Sequence, residues 1–233
     1  MENNKVKQGQ SNEATLTKQE ALFLKYKKAI TIAVAVIILL VAGTFLYKTQ
    51  ISGPREDKAS TTLAVGQDFF AQGDYEKALK GDGAQYPGFL KIASDYSGTD
   101  AGNLANLYAG LSYAQLDKWQ EAVKYLEDFS TRGDQLISPA SQAALGDAYA
   151  HIKQLDKAVS AFKNAAKMAD KKAENGANNA LSPTYLLKAA VILESQNKKA
   201  DALELYQDIK KNYQNSSLVQ SGEIEKYIER ADR

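Results

Sequence analysis

Residues Asn103–Asp134, NLANLYAGLSYAQLDKWQEAVKYLEDFSTRGD, decide the fold of this chain. Leu104, Leu107, Leu111 and Ala114 recur at helical spacing, with Tyr108 and Tyr113 beside them. After Asp117-Lys118, Ala122, Val123, Leu126 and Phe129 do the same. Two such stripes with a short polar break predict two amphipathic helices joined by a tight turn. Gly110 lies inside the first helix, where glycine costs about 1 kcal/mol relative to alanine. Close helix crossing supplies a reason to keep it. Its counterpart is Ala122, twelve residues on.

The twelve-residue spacing of small residues recurs at Gly66 and Ala78, Gly146 and Ala158, and Ala190 and Ala202. Three residues after each first member stands Phe69, Tyr113, Tyr149 or Leu193. Four residues after each second member stands Leu126, Phe162 or Tyr206, and in the first unit Asp82, which departs from the rule. This pattern resembles the tetratricopeptide repeat, a helix-turn-helix unit of about 34 residues. Four units would span about residues 58–215. The resemblance implies an α-solenoid of about four helix pairs, so the expected fold class is all-α, with an N-terminal transmembrane helix read from the apolar run Ala29–Tyr47 and a C-terminal capping helix.

The 233 residues are 44% hydrophobic and 24% charged, which suits one sizeable domain with additions. The formal net charge of +1 leaves no nucleic-acid footprint. Cysteine is absent, which removes disulfides, thiolate chemistry, cysteine metal sites and a lipidated N-terminal cysteine. Charge is unevenly placed: residues 1–47 hold six Lys against three acidic residues, and the remainder is net acidic.

Residues 1–14 are polar and without apolar period, as in a disordered tail. Thr17-Lys18-Gln19-Glu20 has the spacing of a capping box. Leu22, Phe23, Leu24 and Tyr26 then alternate with lysines, which suits a membrane surface. Ala29–Tyr47, AITIAVAVIILLVAGTFLY, is nineteen residues without charge, eleven of them Leu, Ile, Val or Phe. On insertion scales those eleven contribute about −3 to −7 kcal/mol, and the length suits a bilayer span. The alternatives are a signal peptide cut after Gly43 or a buried soluble helix. The apolar run exceeds that of a usual signal peptide, and its polar lead is long. Lys18, Lys25, Lys27 and Lys28 precede the span; Lys48, Arg55 and Lys58 follow it. Adding Lys5 and Lys7 strengthens the bias towards a cytoplasmic N-terminus and an external C-terminal domain, the periplasm in a bacterium.

The expected divisions are 1–28 cytoplasmic tail and lead-in, 29–47 transmembrane helix, 48–57 linker and 58–233 solenoid. Ser52-Gly53-Pro54 would break the membrane helix and start the next. So short a linker would hold the domain near the membrane. Gly81–Gly88, GDGAQYPG, interrupts the first unit and lengthens the Ala78–Ala122 interval to 44 residues. It lacks the lysine and strand-loop-helix context of a phosphate-binding loop, leaving a partner contact or a spacer. Lys171–Ser182 lengthens the next such interval. Ser138-Pro139 and Ser182-Pro183 read as helix starts with serine caps. Leu218–Arg230, capped by Ser216 or Ser217, reads as the terminal capping helix.

The sequence carries no enzyme signature. His151 is the single histidine, with no second imidazole or thiol to join it, so no metal or other cofactor is expected. Trp119 falls in a turn, as a staple. The tetratricopeptide-repeat resemblance implies a concave groove lined by first-helix residues. Aligned on Gly66, Gly110, Gly146 and Ala190, these are Leu63, Gln67 and Phe70; Leu104, Leu107 and Leu111; Asp147 and His151; and Leu187 and Val191. That surface is mostly apolar and unlike the basic carboxylate-clamp type. It implies a protein partner, unless the chain's own elements fill it.

The layout of one N-in span followed by a repeat domain resembles the YfgM-type ancillary subunits of the bacterial SecYEG translocon. The resemblance implies a non-catalytic periplasmic adaptor at the inner membrane. Its implied partners are the SecYEG translocon and a membrane-anchored chaperone of the prolyl-isomerase type. It would assist handover or folding of exported proteins, with no nucleic acid and no small-molecule substrate. The Gly81–Gly88 and Lys171–Ser182 insertions depart from that family. The alternative is a scaffold of another envelope complex, in division, outer-membrane assembly or secretion.

Overall fold

A computed structural model describes residues 18–171 and 173–233. The polar stretch 1–14 and Thr17 of the capping box lie outside them, as do the side chains of Leu22, Phe23 and Leu24. The chain forms two units, residues 1–53 and 54–233.

The described part of the first unit is helix α1, Lys18–Tyr47, followed by a π-helical turn, Lys48–Ser52. From Ile32 to Tyr47 the large apolar side chains point outward all round, Leu39 being 72% exposed. A helix apolar on every side has no water-facing stripe. Its two threonine hydroxyls are satisfied internally, Thr31 donating to Lys27 O (2.8 Å) and Thr44 to Val41 O (2.9 Å). The helix is long and apolar enough to cross a membrane.

Where a linker is expected at 48–57, the backbone is helical: the π turn precedes α2, Gly53–Ala71. Gly53 N–H donates to Lys48 O, five residues back. Pro54 explains the widened turn, because proline donates no bond and its ring collides with the carbonyl four residues before it. Serine, glycine and proline therefore reshape the helical turn here and do not produce a loop.

The second unit is a row of antiparallel helix pairs. Helix α2 is followed by a split partner, α3 (Tyr75–Lys80) and α4 (Phe89–Asp95). Then come α5 (Asp100–Gln115) with α6 (Trp119–Asp128), α7 (Ile137–His151) with α8 (Leu155–Lys171), and α9 (Ser182–Ser195) with α10 (Lys199–Asn212). Each pair packs on the next, α4 on α5, α6 on α7 and α8 on α9. The expected terminal helix is two pieces, α11 (Ser217–Gln220) and α12 (Glu223–Asp232), because Gly222 at φ 72° turns the chain between them. Ile224 and Ala231 of α12 are buried against α10.

One turn closes every pair. Gly73, Asp117, Lys153 and Asn197 all adopt positive φ, at 81°, 56°, 63° and 62°. In each, the next residue's N–H returns 2.9 Å to a carbonyl five residues earlier: Asp74 to Phe69, Lys118 to Tyr113, Gln154 to Tyr149, Lys198 to Leu193. This is the Schellman closure, which needs one left-handed residue.

The helix crossings explain the small residues. A Cβ on Gly110 would lie 2.6 Å from Leu126 Cγ, and one on Gly146 3.0 Å from the Phe162 ring. The first unit reaches the same result differently. Asp82, which stands where the pattern wants an apolar residue, accepts the N–H groups of Ala84, Gln85 and Tyr86 and folds the inserted loop. The loop delivers buried Tyr86 and Phe89 onto Gly66, whose Cβ would meet Tyr86 Oη at 2.0 Å. Tyr86 Oη donates to Ala78 O at 2.8 Å, satisfying the buried hydroxyl. The insertion is part of the core.

The serines before the prolines are not caps. Asp134 accepts Leu136 N (2.9 Å), Ile137 N (2.5 Å) and Ser138 N at the start of α7, while buried Ser138 Oγ donates to it and braces Arg132 N and Gly133 N. Ser182 Oγ likewise turns inward to Asp170 at 2.6 Å. That carboxylate also takes Asn178 N and Tyr213 Oη, holding the second insertion.

Candidate partner-binding groove

Helices α7 and α9 place residues four apart on one face each: Asp147 and His151, Leu187 and Val191. Between these helices lies a hollow of about 320 Å³ lined by Asp147, Ala150, Leu187, Val191 and Ile192, with Phe162 of α8 and Lys188. Phe162 is held there because Gly146 leaves room for its ring. Val191 is 40% exposed, an open apolar wall. Lys188 Nζ donates to both Asp147 oxygens at 2.8 Å and stands 5.3 Å from the Phe162 ring centre. Both charged side chains are half exposed, so the pair contributes about 0–1 kcal/mol to stability. Its larger effect is to leave the hollow apolar and charge-balanced.

The ten expected groove residues do not form one surface. Asp147, Leu187 and Val191 meet around the hollow. Leu63 and Leu107 are 4% and 8% exposed and belong to the core. Leu104 and Leu111 are half-buried against it. Gln67 is half-buried, and Phe70 packs edge-on against Tyr75 and Tyr108. His151 is exposed, with its ring stacked on Trp119 at 3.6 Å and 7°. Trp119 thus links the start of α6 to the end of α7 and does not close its own turn.

Sequence reasoning missed Lys188, Phe162, Ala150 and Ile192. Phe162 carried a signal, since the repeat spacing places it over Gly146; Lys188 carried none, being one of many lysines on polar faces.

Burial and hydrogen bonding together set the proton affinities of several groups in the repeat unit. Tyr149 is pushed up to about 12 by burial and by its hydrogen bond to Glu127. Burial would raise Asp134, but the Ser138 hydroxyl and three backbone N–H groups outweigh it and hold the carboxyl at about 2. Glu194 is lowered chiefly by the Arg230 guanidinium, which binds it at 2.6–2.7 Å. Among the described residues no three His, Cys, Asp or Glu side chains gather to hold a metal ion. A second, polar cleft of about 490 Å³ lies between α4, α5 and α6, with Ser94, Asn106, Lys124 and Arg132 on its walls.

Tetratricopeptide-repeat family models match residues 107–176 and 184–216. These ranges hold the second half of α5 with α6, the pair α7–α8 and nearly all of α9–α10. No curated protein matches the chain. Two solved structures of a Podosopora anserina putative kinesin light chain with nearly identical TPR-like repeats, one of them a point variant, are similar in fold. Each has TM-score 0.55 and 14% identity, over 76% of this chain and 85–86% of the other. The repeated turn, the small-residue crossings and these matches agree: residues 107–176 and 184–216 are tetratricopeptide repeats, and such repeats indicate a scaffold for protein–protein interaction.

Proposed function

We propose that this protein is a membrane-anchored adaptor that holds a protein partner in the α7–α9 groove. The observation that carries the proposal is one chain joining two apolar surfaces of different kinds. From Ala29 to Tyr47 helix α1 is uncharged, apolar on every side and of the length of a bilayer span. The groove is a small apolar hollow on a scaffold fold, sized for two or three side chains of an inserted segment.

The lysine bias before the span supports a cytoplasmic N-terminus and a repeat unit outside the bacterial inner membrane, in the periplasm. The layout supports association with the SecYEG translocon and a membrane-anchored periplasmic chaperone of the prolyl-isomerase type. Asp147, Leu187 and Val191 are the proposed contact residues at the hollow; His151, Leu104, Leu111, Gln67 and Phe70, which stand apart from it on their own first helices, are proposed as secondary contacts. Leu63 and Leu107 support those helices from the core. A scaffold of another envelope complex is the second reading.

The test is affinity isolation of the full chain from membranes in mild detergent, with mass spectrometry of what accompanies it. SecY with a periplasmic chaperone supports the first reading, and loss of both with Val191→Asp places them at the groove. A different envelope complex without SecY supports the second. Recovery of no membrane or envelope protein sinks both.

A further inference from the structure

Outside α1 and the π turn, the described large apolar residues that stand exposed are Val65, Leu136, Ile137 and Val191. Only Leu136 and Ile137 are adjacent. They are 67% and 47% exposed, and Leu136 is as open to solvent as the residues of α1. The loop that carries them is firmly braced. Asp134 caps it, Ser138 Oγ holds Arg132 N and Gly133 N, and the two apolar side chains are turned outward from that frame. The turns at the other ends of the helix pairs, Gly73-Asp74, Asp117-Lys118, Lys153-Gln154 and Asn197-Lys198, are polar.

The loop lies on the edge of the repeat unit that holds the starts of α2, α5 and α7. Contacts connect that edge within the unit. Glu56, in the first turn of α2, accepts Asp100 N (2.6 Å) and Ala101 N (2.9 Å) at the start of α5. Arg55 donates to Asp95 O at 3.0 Å. Asp100 then pairs with Arg132 at 2.6 Å, at the base of the Leu136 loop. The chain enters the unit on this same edge, at Pro54. Seven residue steps lead from Tyr47 to Pro54, a reach of at most about 25 Å. An edge tethered so closely to a membrane span is within reach of the bilayer surface.

We infer that Leu136 and Ile137 form a second, non-spanning membrane contact, inserting into the interfacial region of the leaflet on the repeat-unit side. Exposed aliphatic side chains on a rigid loop bury apolar area there. The contact would fix the rotation of the repeat unit about its tether, and so the direction in which the α7–α9 groove faces. The inference rests on the reading of α1 as a span.

The absence of native cysteine allows a direct test on the full chain. Single-cysteine variants Leu136→Cys, Lys153→Cys and Val36→Cys are labelled with an environment-sensitive fluorophore. They are reconstituted in phosphatidylethanolamine–phosphatidylglycerol vesicles containing lipid spin-labelled near the headgroup or deeper in the chain. Position 36 reports the span, and position 153 reports the opposite edge of the unit. The expected result is quenching at 136 by the shallow spin label at least about twofold greater than at 153, relieved by adding Ile137→Asp. Equal quenching at 136 and 153, with position 36 quenched by the deep label, overturns the inference and leaves the anchor standing. A blue shift at 136 without lipid quenching also overturns it, since a protein or a second copy then covers the patch. Absence of quenching at position 36 refutes the anchor itself, and the inference with it.

Discussion

The Gly110 crossing gives the sharpest test of the packing argument. Gly110→Ala adds one Cβ, which would lie 2.6 Å from Leu126 Cγ, 2.9 Å from its Cδ2 and 3.1 Å from Leu126 N. Leu126 Cγ moves away only if its χ1 changes or α5 and α6 separate, while the backbone nitrogen at 3.1 Å needs to give by only a few tenths of an ångström. Two effects oppose each other. Alanine gains about 1 kcal/mol over glycine in a helix interior, while overpacking costs about 1–3 kcal/mol. The net expectation is a loss of up to about 2 kcal/mol in wild type. In a Leu126→Ala background the two side-chain clashes are gone and only the 3.1 Å contact to the backbone nitrogen remains, so Gly110→Ala should become neutral or stabilise by up to about 1 kcal/mol. The effect of one substitution therefore differs between backgrounds, a coupling of up to about 3 kcal/mol. Urea unfolding of the full chain in detergent, followed by the fluorescence of Trp119 on α6, reads all four corners of the cycle. Trp119 is the only tryptophan and reports this helix pair. If Gly110→Ala has the same effect in both backgrounds, the glycine is not held by the crossing and the account of the repeat spacing is wrong.

Three further outcomes are expected. Tyr86→Ala should cost about 3–5 kcal/mol, as a large buried aromatic lost from a core, and Tyr86→Phe about 1 kcal/mol for the bond to Ala78 O; a spacer loop would show neither in thermal unfolding. Lys153→Gly should stabilise by about 1 kcal/mol, because a side chain at φ 63° bears a left-handed strain that glycine lacks. That gain appears as a rise of about 2–4 °C in Tm for a domain of this size. Asp134 has its carboxyl depressed from 3.8 to about 2 in the folded state. It contributes stability above its unfolded value that is lost as pH falls from about 4 to about 2, a contribution of about 1 kcal/mol after allowing for solvent screening. Asp134→Asn should remove that part of the acid slope when stability is measured across the window.

The helix pairs were legible in the chain because what makes them is local. Gly110 and Leu126 are sixteen residues apart, and their contact recurs at Gly146 and Phe162. The turn between them needs one left-handed residue and no distant partner. The same holds for α1, where nineteen uncharged residues carry their own reading. Asp82 marked a true departure from the pattern. Its consequence was hidden, because Tyr86 reaches Gly66 only once Asp82 has curled the loop around its carboxylate. Serine before proline reads as a cap in any single helix. Ser138 and Ser182 serve otherwise because Asp134 and Asp170 arrive from the preceding loop and helix.

The repeat periodicity, the pairing of neighbouring helices and the apolar α1 were thus determined by the sequence alone, through contacts within about sixteen residues of chain. The tertiary structure decided which members of a single amphipathic stripe remain open. Leu63, Leu107 and Leu187 each stand three residues before the small residue of their helix, yet the first two are sealed in the core and Leu187 stays half-buried at the edge of the hollow. No residue type distinguishes them. What separates them is the packing of the neighbouring helix pair, about forty residues away in sequence, which covers one leucine and leaves a hollow beside another.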